Sequence, residues 1–295
     1  MKMNNLNARI TALVIVGAIS LLTGCQDEDR LTVADTQDII EEALTDSYFQ
    51  DMDDMAGVAI NAPTEDAYNS GGRIATTITI SDDRMSCNDI IITIDKRDGS
   101  TLDSPRGVMV VDFGTTGCPD ARGNIRTGKI IFTYEGKRFQ PGSTVVTTVE
   151  NYTINGVKLE GTRTLTNVTG SDSQSPRFNV VLANGKATFI ADGTVAERES
   201  NITWQWHRGQ TFADDYLEID QSSLASGVTR GGRTYAVSLT KALKYKRFCG
   251  IAVEGIKKYV IDGTKQIVID YGDGECDKKI TVLVNGNNKS LTVSN

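Results

Sequence analysis

From residue 67 to its end the chain is a succession of short runs rich in Val, Ile and Thr, closed off repeatedly by turn dipeptides. "TTITI", "DIIITID", "GVMVVDF", "KIIFTY", "STVVTTV", "VKLEGTRTL", "FNVVL", "KATFIA", "NITWQW", "YLEI", "TYAVSL", "QIVIDY" and "KITVLV" have the alternation or short apolar persistence of strands. Asn155-Gly156, Asn184-Gly185 and Asn285-Gly286 favour tight primed hairpin turns, and Asp98-Gly99, Asp192-Gly193 and Asp262-Gly263 can form them as well. Hairpins join neighbours that run in opposite directions, and nothing in this stretch has the length and period of a helical crossover. The expected fold class is therefore all-β, an antiparallel meander closed as a sandwich or a strongly curved sheet.

One segment departs from this texture. "ADTQDIIEEALTDSYFQDMDDMAGVAINAP" predicts a single acidic helix, with Asp35 as its cap, Asp38 near its positive end, and a stripe of Ile40, Leu44, Tyr48, Met52, Met55 and Ala59. Gly57 weakens its end and Pro63 forbids much beyond it. The other face is strongly acidic, so the helix either lies on the β domain or serves as a spacer. The net charge of −7 is the balance of −12 in residues 26–66, +2 in the preceding residues and +3 in residues 67–295. The β part is thus nearly neutral, without the basic block that nucleic acid requires.

Ahead of the helix, "MKMNNLNARI" carries Lys2 and Arg9 and is followed by "TALVIVGAISLLTG", an apolar run short for a membrane span. This is the pattern of a secretory signal peptide over residues 1–24. Leu22-Thr23-Gly24-Cys25 resembles the bacterial lipobox, which implies acylation of Cys25 and attachment to a membrane. Gln26 is not the Asp of inner-membrane retention, and Gln26-Asp27-Glu28-Asp29 resembles the acidic export tag of surface-exposed lipoproteins. Residues 25–66 then read as a lipidated acidic tether and helix, and 67–295 as the β domain.

The β domain contains a repeat. "GGRIATTITISDDRMSC" (71–87) lines up with "GGRTYAVSLTKALKYKRFC" (231–249), and each copy continues through a strand, an Asp-Gly turn, a second strand and a closing "VDFGTTGC" or "IDYGDGEC". Two related units, about 71–138 and 231–290, therefore flank a middle meander. With Cys25 taken by lipid, four cysteines remain, and an exported compartment favours disulfides. The repeat selects Cys87 with Cys118 and Cys249 with Cys276. A tetra-Cys zinc site is the alternative, but paired Cys-x-x-Cys knuckles are lacking.

Few residues offer chemistry. "VDFG" lacks the companions of a kinase metal turn, and the expected roles are local: Asp112 and Asp270 bond their own turns, Gly114 and Gly272 permit them, and Phe113 and Tyr271 pack. Asp270, Asp273 and Asp277 are candidate calcium ligands, without the order of an EF-hand loop. His207 has no nucleophile motif beside it, and Asp214-Asp215 is the available carboxylate pair for a hydrolase. No catalytic residue and no cofactor is expected. In "NITWQWHRGQTFADDY", Trp204 and Trp206 share one strand face and Gln205 and His207 the other. The indoles serve either as core filling or as a platform for sugar rings.

The lipobox, the acidic tether and helix, and the run "VDFGTTGC…RTGKIIFTYEGKRFQPGSTVVTTVENYTINGVKLEGTRTLTN" together resemble a group of uncharacterised Bacteroidota outer-membrane lipoproteins. The resemblance implies a β-rich fold on the outer membrane, facing outward, and supplies no activity. The expected partners are the membrane, through Cys25, and a glycan or another envelope protein. The functional expectation is a lipid-anchored protein that binds or supports, with glycan binding by Trp204 and Trp206 and a carboxylate-dependent hydrolase as alternatives.

Overall fold

The computed structural model describes residues 30–60, 74–77, 90–121, 123–170, 175–210, 214–246, 249 and 251–292. The expected signal peptide, Cys25, the expected export tag, Gly71-Gly72-Arg73 and Cys87 lie outside them, and with Cys87 so does the expected Cys87–Cys118 pairing. The chain is mostly antiparallel sheet with one N-terminal helix. It divides into a middle unit (Tyr48–Gly170 and Phe178–Ser200) and a flanking unit (Met1–Ser47, Ser171–Arg177 and Asn201–Asn295).

The middle unit is built from β1 (Ile74–Thr77), β2 (Ile91–Lys96), β3 (Arg106–Asp112), the two-residue β4 (Cys118–Pro119), β5 (Ile125–Glu135), β6 (Thr144–Ile154), β7 (Val157–Asn167) and β8 (Arg177–Phe189). Neighbours pair in the order β1-β2-β3-β5-β6-β7-β8, with β4 beside β5. Alternate residues face inward, so that Ile92 and Ile94, Met109 and Val111, and Ile130 and Phe132 are almost wholly buried. Asn155-Gly156 forms the expected tight turn between β6 and β7, both residues with positive φ.

Asn184-Gly185 does something else. It sits inside β8, where the pairing with β7 shifts register between Glu160 and Thr162. Asn184 adopts φ +54° there, and its amide donates to Glu199 Oε1 at 2.6 Å. The conformations that make Asn-Gly a hairpin tip also accommodate a bulge. "FNVVL" and "KATFIA", expected as separate strands, thereby join into one.

The flanking unit takes the latter part of β9 (Val195–His207), then β10 (Tyr216–Ile219), β11 (Leu224–Val228), β12 (Thr234–Lys246), β13 (Glu254–Ile261), β14 (Lys265–Asp273), β15 (Lys279–Val284) and β16 (Asn287–Thr292). The order is β9-β10-β12-β13-β14-β15-β16, with β11 also on β12. Its core gathers Tyr235, Val237, Tyr259, Ile261, Ile267, Ile269, Ile280 and Val282. The two sequence repeats occupy equivalent runs, β1-β2-β3-β5 and β12-β13-β14-β15, all antiparallel. Asp112 lies opposite Ile91 in one and Asp270 opposite Ile256 in the other.

The helix, α1 (Val33–Ile60), contributes to both units. Its cap is Thr32, whose hydroxyl accepts from the Asp35 amide at 3.1 Å while Asp35 Oδ2 accepts from the Thr32 amide at 2.9 Å, a reciprocal capping box with Asp35 inside the first turn. The buried stripe also departs from expectation. It runs Asp35, Asp38, Ile39, Glu42, Thr45, Phe49, Met52, Met55 and Ala56, while Ile40, Leu44 and Tyr48 are half-buried. Its acids are where the helix is held. In the flanking unit Asp35 meets Lys265 at 2.5 Å and Arg233 at 3.0 Å, Asp38 meets Arg233 at 2.9 Å, and Glu42 receives Lys257 at 3.2 Å and the Tyr259 hydroxyl at 3.0 Å. In the middle unit Asp51 is gripped by Arg126 and Asp53 pairs with Arg163 at 2.7 Å. The acidic charge of the helix is therefore met by buried and half-buried cations of the sheet, and the spacer alternative does not describe this helix.

Candidate functional site

β9 loses its alternation where it enters the flanking unit. Buried and exposed residues alternate from Ala196 to Asn201, but every residue from Ile202 to His207 is half-buried. Both faces of the strand are partly open there. Trp204 stands opposite Ile219 and Trp206 opposite Leu217, with Leu243 and Tyr245 of β12 next along the same rows. Leu243 belongs to a small buried cluster with Leu239 and Ala252, against which Ile219, Tyr245 and Tyr271 pack. The tryptophans share a face, as strand parity requires, and both are half-buried there. The Arg208 guanidinium lies 5.1 Å from the Trp206 ring centre, a cation–π contact that keeps one indole face from being a bare platform.

The opposite face is polar and aromatic. Gln205, Glu218, Lys244 and Glu254 form one row across the ladder, and His207, Tyr216 and Lys246 form the next. His207 stacks on Tyr216 with ring centres 4.4 Å apart and planes 10° from parallel, and Lys244 Nζ lies 4.2 Å from the Tyr216 centre. Partial burial, then the carboxylates of Glu218 and Glu254, push the Tyr216 hydroxyl above its ordinary pKa, which keeps it a donor. Trp206 Nε1 and His207 Nε2 are shielded from solvent and have no hydrogen-bond partner among the described residues. Such groups are satisfied in native proteins by a ligand or an ordered water, after a small ring rotation where needed. Asp215 accepts from the Gly209 amide at 3.0 Å, so at least one oxygen of the carboxylate pair holds a turn.

The acidic loop after β14 lines an open pocket of about 280 Å³ with Asp270, Asp273, Asp277, Glu275, Lys279 and Ser290 among its walls. Its acids are partly committed: Asp270 Oδ1 accepts from the Gly272 amide at 2.9 Å, and Asp277 accepts from the Lys279 amide at 3.0 Å and pairs with its ammonium at 3.3 Å. The Lys279 amide, and after it the Lys279 ammonium, hold the Asp277 carboxyl below its ordinary range. No group of three or more His, Cys, Asp or Glu among the described residues is placed to share a metal ion. The first repeat has the same turn, with Asp112 Oδ1 accepting from the Gly114 amide at 2.9 Å and Phe113 buried near Tyr152. The recurring Asp-aromatic-Gly is therefore turn and packing chemistry in both copies.

Cys249 and Cys276 form a disulfide with Cα atoms 5.4 Å apart, tying the β12–β13 connection to the acidic loop. Replacing both with serine should lower the unfolding free energy by about 3–4 kcal/mol, the chain-entropy value for a loop this long. Urea unfolding of the variant and the oxidised parent measures this; equal midpoints would show that the bond is not stabilising.

No protein-family model, no curated protein and no solved structure matches this chain.

Proposed function

We propose that this is a lipid-anchored protein of the cell envelope, held in the outer membrane through Cys25, that works by binding a glycan at the end of the β9–β10–β12 sheet. One observation carries the binding site: the half-open stretch Ile202–His207, where the indoles of Trp204 and Trp206 share one incompletely covered face of the strand. Sugar rings present apolar C–H faces and a rim of hydroxyls. The indoles supply surface for the former, and the Arg208 guanidinium beside Trp206 supplies donors for the latter, whereas Gln205, His207, Glu218 and Lys244 line the opposite face of the sheet.

The test is a glycan array probed with the mature protein and with the Trp204→Ala, Trp206→Ala double variant, folding being checked by circular dichroism. Binding by the parent that falls at least tenfold, roughly 1.4 kcal/mol, in a folded double variant supports the site. No binding by the parent to any glycan, or full binding by the variant, overturns it. Anchoring is read separately: palmitate labelling of the cells should mark the parent and not Cys25→Ser.

A further inference from the structure

We infer that the flanking unit meets phospholipid headgroups with the end that carries its turns at 229–233, 262–264 and 285–286, and that the β9–β10 binding surface is the membrane-distal end. The inference rests on lipidation of Cys25 proposed above. Five peptide links separate Cys25 from Arg30, so the two Cα atoms lie within about 18 Å of each other even at full extension. Arg30 is itself fixed to the unit. Its carbonyl accepts from Lys265 Nζ at 2.8 Å, and Leu31 packs against the core of Tyr235, Ile261 and Ile267. The capping box then follows at Thr32 and Asp35, and Asp35 reaches both Lys265 and Arg233.

Those partners all stand at one end of the strands. Arg233 precedes β12 and pairs with Asp262 at 2.8 Å, Lys265 opens β14, and the Asp262 amide donates to the Thr234 carbonyl at 3.0 Å. The Asn285 amide donates to the Gln266 carbonyl at 3.2 Å, which brings the β15–β16 turn alongside. The opposite end begins where Tyr216 pairs with both His207 and Lys246, the last residue of β12. β12 has 13 residues. At about 3.3 Å per residue its two ends are separated by about 40 Å. A lipid on Cys25 therefore holds the turn end close to the bilayer and leaves the tryptophans far from it. The turn end suits headgroups: with Lys265 and Arg233 already paired to Asp35, Asp38 and Asp262, Thr264 and Asn285 supply polar tips, and Val33, 66% exposed, offers an apolar contact on the first helical turn.

The experiment uses the mature lipoprotein, purified from membranes and reconstituted into phosphatidylcholine vesicles with an acceptor dye on the headgroups. A fluorescent amino acid replaces either Thr264 or Gln210, both exposed and at opposite ends. Energy transfer to the bilayer should be several-fold more efficient from position 264 than from 210. Equal transfer, as for a domain lying on its side, or stronger transfer from 210 overturns the orientation. Intact mass of the same sample reads acylation of Cys25 independently. An unmodified Cys25 defeats the anchoring proposal, and the same chain coupled through Cys25 to a maleimide phospholipid then still decides the orientation.

Discussion

Gly255→Ala is expected to lower the stability of the fold by more than about 3 kcal/mol, the sum of a left-handed backbone penalty and a main-chain clash. Gly255 lies in β13 with φ +109°, at the register shift between Glu254 and Ile256. A β-carbon there would stand 2.1 Å from the Ala242 carbonyl oxygen and 2.9 Å from the Leu243 Cα, both backbone atoms of the adjacent strand that cannot step aside singly. β12 and β13 shift register at the same place, so moving Ala242 would disturb the row through Lys244 and Glu254. Gly272→Ala is the control. It has φ +88° but only one atom within 4 Å, at 3.9 Å, so it should lose only the conformational share, about 1 kcal/mol. Urea unfolding of both variants separates the contributions. Similar losses would mean that the close approach of β12 and β13 carries no energetic weight.

These bulges mark the boundary of what period-two patterning discloses. Strands such as Ile130-Phe132-Tyr134 are legible because each buried side chain is apolar and every second residue. Asn184-Gly185 is ambiguous because one dipeptide serves a hairpin and a bulge, and the partner that decides between them, Gly161 on β7, is distant in sequence. The helix itself is legible, but the first half of its buried face departs from the expected stripe for a different reason. Hydrophobic periodicity selects Ile40, Leu44 and Tyr48, whereas the buried stripe begins with Asp35, Asp38 and Glu42. Acids count as solvent-facing in such a scheme unless cations wait for them. The signal that points to them is the charge division itself, −12 before residue 67 against +3 beyond it, together with the spacing of three and four that links Asp35, Asp38 and Glu42 to Thr45, Phe49, Met52 and Ala56. Strand parity places Trp204 and Trp206 on one face. Whether that face is covered depends on neighbours in other parts of the chain, and the half-open stretch of β9 was not legible.

Arg126→Ala is expected to cost about 3–5 kcal/mol, because it leaves buried carboxylates without their counter-charge. Arg126 is 1% exposed; its Nη2 and Nε donate to the two Asp51 oxygens at 2.6 and 3.0 Å, and its Nη1 donates to Asp120 at 2.7 Å. Tyr152, wholly buried, adds its hydroxyl to Asp51 at 2.8 Å, and Asn124 adds its amide and side chain to Asp120. This network joins the second half of α1 to β5 and β6 within the middle unit. Lys137→Ala gives the contrast: its pair with Asp103 is exposed on both sides and should be worth less than about 1 kcal/mol. Acid supplies an independent reading. Burial opposes ionisation of Asp120, but hydrogen bonds from Arg126 and Asn124 outweigh it and hold the carboxyl below the ordinary aspartate range. A carboxylate depressed in the folded state stabilises above its unfolded pKa, about 3.9, and that contribution is lost as pH falls through the folded value. The parent should therefore lose stability progressively below about pH 4, and Asp120→Asn, weaker at neutral pH, should show a shallower loss over the same window. Parallel pH profiles for the two proteins, or an Arg126→Ala midpoint equal to that of the parent, would assign the joining of helix and sheet to the apolar stripe of Phe49, Met52 and Met55 instead.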